Sequence, residues 1–152
     1  MKIIVDAMGG DNAPLEIVRG ALNAARARRD WEILLVGREA DVRLAVSQCG
    51  GAPGNVHLVN ATEVIDMHDD PATAFKTKKD SSITVGLTML KNGEGDAFVS
   101  AGSTGALLSA GTLLVKRVRG IRRAAMAPVI PTATGKAVLI DCGANAECSV
   151  EY

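Results

Sequence analysis

Three short loops in this sequence place glycine beside acidic, hydroxyl or amide side chains directly after an apolar run. Asp6 leads into Gly9-Gly10-Asp11, Ser100 into Gly102-Ser103-Thr104-Gly105, and Asp141 into Gly143-Ala144-Asn145. Glycine permits positive φ and close backbone approach to a ligand, while serine and threonine add hydroxyl donors. A helix starting near Thr104 would turn the positive end of its dipole toward an anion. Taken singly, such a loop is more often an ordinary strand-to-helix turn. On one edge of a parallel sheet the three would converge on a phosphate or carboxylate ligand. A fourth stretch, Lys76-Thr77-Lys78-Lys79-Asp80-Ser81-Ser82, is a compact basic cluster with hydroxyls beside it. It reads either as a solvated helix end or as an anion clamp, with lysines steering phosphate onto a helix start at Ser81-Ser82.

Other chemistries find less support. No G-x-x-x-x-G-K-[ST] occurs, and Gly93-Glu94-Gly95 precedes an apolar run instead of following one. An ATPase or a standard dinucleotide-binding domain is therefore disfavoured. There is no Gly-x-Ser-x-Gly elbow. His57 falls within a strand and reads as structural; His68, between Asp66 and Asp69, could serve as an acid or base, though a solvated loop histidine is the commoner case. Asp66, Asp69 and Asp70 could hold a metal, but Asp69 and Asp70 serve equally well as helix caps; no metal and no cofactor is expected. The run from Arg117 to Arg123 follows a helix, where cations favour the dipole, and reads as surface.

Composition narrows the class further. The 17 basic and 17 acidic residues cancel, which argues against a nucleic-acid partner. Hydrophobic residues make up 47% of the 152 and aromatics only 3%, the profile of a tightly packed α/β protein. Cys49, Cys142 and Cys148 are odd in number and lack C-x-x-C spacing, so a reduced, cytoplasmic setting is expected. No signal peptide or membrane span is legible. In that compartment the Asn60-Ala61-Thr62 sequon has no meaning.

The elements that must position these loops alternate between strand and helix. Strands are expected over 2–6, 31–36, 56–59 and 97–100, and helices over 14–28, 39–48 and from Ser81 or Ser82 through Leu90. The first helix takes Asp11 or Asn12 as its cap, with Pro14 in its first turn. Asp69 and Asp70 open a helix running toward Lys79, and an apolar helix runs from Thr104 to about Arg117. Strands over 126–130 and 136–140 close the chain, joined as a hairpin through 131–135. The fold class is a single α/β domain over 1–152 with a mostly parallel sheet. A parallel strand ending at Asp141 needs a crossover for which too few residues follow. The chain therefore reads as the N-terminal half of a longer fold.

Five motifs, spanning the chain in order, resemble the bacterial phosphate acyltransferases of phospholipid synthesis. They are Asp6-Ala7-Met8-Gly9-Gly10-Asp11-x-Ala13-Pro14, Ile65-Asp66-Met67-x-Asp69-Asp70-Pro71, Lys78-Lys79-Asp80-Ser81-Ser82, Ser100-Ala101-Gly102-x-Thr104-Gly105-Ala106 and Asp141-x-Gly143-Ala144-Asn145. The resemblance implies a three-layer α/β/α, Rossmann-like sandwich related to phosphotransacetylases and isocitrate-type dehydrogenases. It implies a reaction in which acyl-[acyl carrier protein] and inorganic phosphate give acyl phosphate and free carrier protein. Family members are cytoplasmic homodimers that contact the membrane peripherally, and they are about twice as long as this chain. Two positions depart from the family pattern: Ser103 stands where asparagine is usual, and Arg123 where proline is.

The chemistry suits the residues. Phosphate near neutral pH is already an anionic nucleophile, so the protein needs to position it against a thioester carbonyl and stabilise the oxyanion. Lys78, Lys79, Ser81, Ser82, Ser103 and Thr104 are the candidates for holding phosphate. Backbone N–H groups around Gly9, Gly10 or Gly102 would serve the oxyanion. Asp11 and Asn145 would orient the loops, with Asp6, Ser100, Gly105 and Asp141 completing the lining. Two alternatives are a phosphotransacetylase using a coenzyme A thioester and a non-catalytic half-domain that binds phosphate.

Overall fold

The computed structural model describes residues 1–121, 124–140 and 142. The chain divides into two compact units, Met1–Val115 and Lys116–Tyr152. The first holds strands β1 (Lys2–Asp6), β2 (Glu32–Gly37), β3 (Val56–Asn60) and β4 (Ala97–Val99). Its helices are α1 (Leu15–Ala27), α2 (Glu39–Gln48), α3 (Ala74–Thr77), α4 (Ser82–Lys91) and α5 (Thr104–Ala110), the last passing into a π-helical turn, Gly111–Val115. The four strands form one sheet in the order β3-β2-β1-β4, with every pairing parallel.

Alternation along the strands builds two cores. Ile3 and Val5 of β1, with Ile33 and Leu35 of β2, pack against Val18, Leu22 and Ala25 of α1 and Val42 and Ala45 of α2. Ile4, Leu34 and Val36 point to the opposite face and meet Val85, Met89 and Leu90 of α4. This unit is therefore a three-layer α/β/α arrangement. A one-residue slip of β1 would exchange the two faces, so its register is strongly fixed. Gly86 lets α4 lie close to the sheet, because a Cβ there would collide with the Phe98 ring and sit 3.2 Å from Ile4 Cγ2.

The topology also fixes where helices begin. β3 and β4 run in the same direction, so the connection between them must carry α4 back across the sheet. Its N-terminus therefore lies at the carboxyl edge of the strands. α5 starts at that same edge, directly after β4. Ile83 of α4 and Ala106 of α5 share one buried cluster with Ile65 and Phe75.

Several boundaries depart from the sequence expectation. α1 has no side-chain cap from Asp11 or Asn12; Pro14 occupies the cap position, and Asn12 contributes only its carbonyl, to Glu16 N–H at 3.2 Å. The helix foreseen toward Lys79 is one turn long, because the Asp70 carboxylate takes Ala72 N–H at 3.1 Å and the Thr73 hydroxyl, holding 71–73 in turns. The helix from Thr104 widens into the π-turn and ends at Val115, where Lys116 follows with a φ of 77°. In the second unit β5 (Val129–Thr132) and β6 (Gly135–Val138) form an antiparallel hairpin, turning at 133–134. Among the described residues no helix is long and apolar enough to cross a membrane.

Candidate functional site

At the carboxyl edge of the sheet, the loops that follow β1 and β4 are tied together by a buried carboxylate. Asp6 is 1% exposed. Its Oδ1 accepts Met8 N–H at 3.1 Å, and its Oδ2 accepts the Ser100 hydroxyl at 2.7 Å. The Ser100 oxygen in turn accepts Gly102 N–H at 3.1 Å. β1 and β4 are parallel neighbours, with Val5 opposite Val99, so residues ninety-four apart in sequence meet at this edge.

Glycine is required at the point of contact. A Cβ on Gly9 would overlap Asp6 Oδ2 and lie 2.8 Å from Gly102 N and 2.9 Å from Ser100 Oγ. One on Gly102 would lie 3.2 Å from the Gly9 Cα. Gly10 has a φ of 117°, outside the range L side chains readily adopt. The two glycine loops thus touch backbone to backbone, braced from below by Asp6. Asp11 stands exposed at the rim.

The two helix starts behave differently. Ser103 is the N-cap of α5; it is 6% exposed, and its hydroxyl oxygen accepts Ala106 N–H at 3.3 Å. Thr104 is exposed beside it, and Gly105 packs against Pro71, whose Cβ would be 2.9 Å from an added methyl. Ser81 caps α4: its oxygen accepts Thr84 N–H at 3.3 Å and its hydroxyl donates to Thr84 Oγ1 at 2.8 Å. Ser82, the first residue of α4, is 1% exposed, and among the described residues its hydroxyl has no hydrogen-bond partner.

The basic cluster splits in two. Lys78, foreseen as a phosphate ligand, turns inward, donating to Val64 O at 2.8 Å and to Asp69 Oδ2 at 2.5 Å. A lysine so engaged positions the 64–69 loop and is not available to an incoming anion. Lys79 is exposed and makes no such bond among the described residues. Asp80 accepts both the Thr62 N–H at 2.9 Å and the Thr62 hydroxyl at 2.5 Å, and its own N–H donates to Glu63 Oε2 at 2.9 Å. These bonds clamp the turn that presents Lys79 and starts α4.

The aspartates of the middle segment are likewise occupied. Asp66 Oδ1 accepts the N–H groups of His68 and Asp69, and Asp69 Oδ2 accepts that of Asp66. Among the described residues no cluster of His, Cys, Asp and Glu is arranged to hold a metal. His57 and His68 are both exposed, so His57 is a surface residue of the edge strand β3. Asp141 and Asn145 lie outside the described residues.

The Lys78 hydrogen bond holds the Asp69 carboxyl below the usual aspartate range; the Thr73 and Thr62 hydroxyls do the same for Asp70 and Asp80. A folded-state pKa below the unfolded value, about 3.9, gives stability that is present above it and lost as pH falls through the lower one. The urea midpoint is therefore expected to hold level above about pH 5 and to fall below about pH 4. Asp80→Asn should lower the neutral-pH midpoint and shrink the acid loss. An unchanged pH profile in that variant would contradict the clamp.

Asp6 as a brace was not legible beforehand. The signal was an acidic residue closing an apolar strand just before two glycines, and its burial emerges only with β4 alongside. The comparisons with known proteins follow this architecture. Phosphate acyltransferases from Caldanaerobacter subterraneus subsp. tengcongensis and Desulfitobacterium hafniense are 46% and 47% identical over 99% and 100% of this chain. The chain spans less than half the length of these relatives, 44% and 45%. Its fold is shared with a phosphotransacetylase from Streptococcus pyogenes, at a TM-score of 0.67 and 22% identity, covering 98% of this chain and 49% of that one. A second phosphotransacetylase, from Staphylococcus aureus, gives a TM-score of 0.65 at 18% identity, over 97% of this chain and 48% of that one. Since all of residues 1–152 match the family described as "Fatty acid synthesis protein", the chain belongs to that family.

Proposed function

We propose that this chain carries the phosphate-holding edge of a phosphate acyltransferase, which converts acyl-[acyl carrier protein] and inorganic phosphate to acyl phosphate. The observation that carries the reading is the start of α4. A buried serine hydroxyl with no hydrogen-bond partner among the described residues sits at a helix N-terminus, beside an exposed lysine, on the sheet edge where two glycine loops meet. An anion there gains the helix dipole, a hydroxyl donor and a nearby positive charge. The relatives' name supplies the reaction class.

In this mechanism Lys79 and Ser82 hold phosphate, and the rim of Ser103 and Thr104 bounds it. Ser81 and Lys78 shape the site and do not touch the ligand. One phosphate oxygen attacks the thioester carbonyl, the tetrahedral oxyanion is met by N–H groups of the Gly9 and Gly102 loops, and the carrier thiolate leaves. Asp11 orients the site from its rim. The acyl carrier protein is the donor, and homodimer formation and peripheral membrane contact rest on the family resemblance alone.

Acyl phosphate formation tests this. The 152-residue chain would be assayed alone and grafted in place of the matching region of the Caldanaerobacter enzyme, with carrier-protein and coenzyme A thioesters as donors. The graft should use the carrier-protein thioester. In it, Lys79→Ala should raise the phosphate KM about tenfold, the loss of roughly one charge-assisted hydrogen bond. Preference for coenzyme A would favour the phosphotransacetylase alternative. An unchanged KM in Lys79→Ala would remove Lys79 from the site.

A further inference from the structure

Between β3 and α4 the chain runs through residues 61–81 at the carboxyl edge of the sheet, and this segment is fixed at two points within the first unit. One is the start of α4. Glu63 bridges Ser81 in parallel, its N–H donates to Asp80 O at 3.1 Å, and Lys78 Nζ reaches back to Val64 O and Asp69 Oδ2. The Lys78 carbonyl accepts the Ser81 N–H at 3.3 Å and the Thr84 hydroxyl at 3.2 Å. One residue thus holds the loop with its side chain and the cap of α4 with its backbone. The other point is the start of α5. Pro71 sits on its first turn, with the Pro71 Cβ 2.9 Å from where a methyl on Gly105 would be.

The stretch between these points has little freedom. Asp66 Oδ1 accepts the N–H groups of His68 and Asp69, Asp69 Oδ2 accepts that of Asp66, and Asp70 captures Ala72 N–H and the Thr73 hydroxyl. Beneath it Ile65 and Phe75 are 4% and 5% exposed and share a cluster with Ile83 of α4 and Ala106 of α5. A short segment closed by its own carboxylates and seated on packed apolar side chains transmits a displacement instead of absorbing it.

We infer that residues 64–71 form a strut that sets the spacing between the starts of α4 and α5, with Lys78 and Asp69 as its lock and Pro71 as its far contact. The inference rests on the reading that phosphate is held between those starts, by Lys79 and Ser82 on one side and the rim of Ser103 and Thr104 on the other. Lys78 and Asp69 are then positioning residues. They touch no substrate and keep the two walls at the separation a phosphate needs.

A double-variant cycle tests the strut. Phosphate affinity of the 152-residue chain is read from amide shifts of the folded species, at a temperature where every variant is folded, so a change in stability alone does not move it. Lys78→Met cuts the lock and should weaken phosphate binding about tenfold, and Lys78→Arg, which can still reach a carbonyl and a carboxylate, should recover most of the loss. Should Lys78→Met fail to fold, Asp69→Asn keeps the shape, loosens the lock and should weaken binding about threefold. Gly105→Ala pushes Pro71 against the locked strut and should also cost about tenfold. Once the lock is cut the loop yields, so the double variant should be about tenfold weaker than the unsubstituted chain, not about a hundredfold. Without phosphate, Lys78→Met should shift the amides of 104–106 and Gly105→Ala those of 81–84, while Lys91→Met, at the far end of α4, should shift neither set. Losses that multiply to about a hundredfold would overturn the inference, because the two sites would then act independently. So would an unchanged affinity in Lys78→Met, or shifts confined to the helix nearest each substitution. If the unsubstituted chain binds no phosphate, the phosphate-holding reading fails, and the phosphate-free shifts still decide for or against the strut.

Discussion

Asp6→Ala should destabilise the chain by about 3 kcal/mol in urea unfolding, the sum of two hydrogen bonds to a charged acceptor and the donors left behind. The carboxylate is buried and has a bond on each oxygen, from Met8 N–H and the Ser100 hydroxyl. Alanine leaves both donors enclosed, and the Ser100 oxygen that receives Gly102 N–H loses its anchor. Asp6→Asn keeps the shape and one acceptor, and should recover about half the loss. Ser100→Ala should cost less than Asp6→Ala, since it removes a single arm of the brace. Were Asp6→Ala to leave the midpoint unchanged, the carboxylate would not be holding the two loops together.

Gly9→Ala should cost about 2 kcal/mol and abolish phosphate binding in the same variant. A methyl group at this position would overlap Asp6 Oδ2 and crowd the Gly102 nitrogen at 2.8 Å. Neither neighbour is a flexible side-chain end: one is fixed by two hydrogen bonds, and the other is backbone. The loops must therefore separate, which moves the N–H groups away from the edge. Gly54→Ala is the matching control, since a Cβ there meets nothing within 4 Å. Equal stabilities for the two variants, with phosphate binding kept in Gly9→Ala, would contradict the close contact.

Much of this arrangement could be read from residue order. The bounds of β1 and α2 follow from periodicity, because an apolar strand and an amphipathic helix each carry a repeating signal. The convergence of the first two glycine loops follows from a parallel sheet, whose strand ends share an edge. Lys78 could not be read the same way. Its neighbour Lys79 has the same chemistry, and only the fold brings Asp69 and the Val64 carbonyl to one of them. Position 82 presents the converse case. A serine in a Ser-Ser pair looks like a second cap, yet Ser81 caps α4 while Ser82 is buried with no hydrogen-bond partner among the described residues. The short α3 is a contest between helix propensity and side-chain capture of the backbone. The carboxylate of Asp70 wins it through contacts that a propensity count does not register.

The most direct test of a phosphate-holding edge is a titration of inorganic phosphate into the isotope-labelled 152-residue chain, followed amide by amide. Saturable shifts are predicted at Gly9, Gly10, Gly102, Ser82 and Ile83, and they should weaken together in Lys79→Ala. Shifts confined to other surface cations such as Arg29, or none that saturate, would contradict the account.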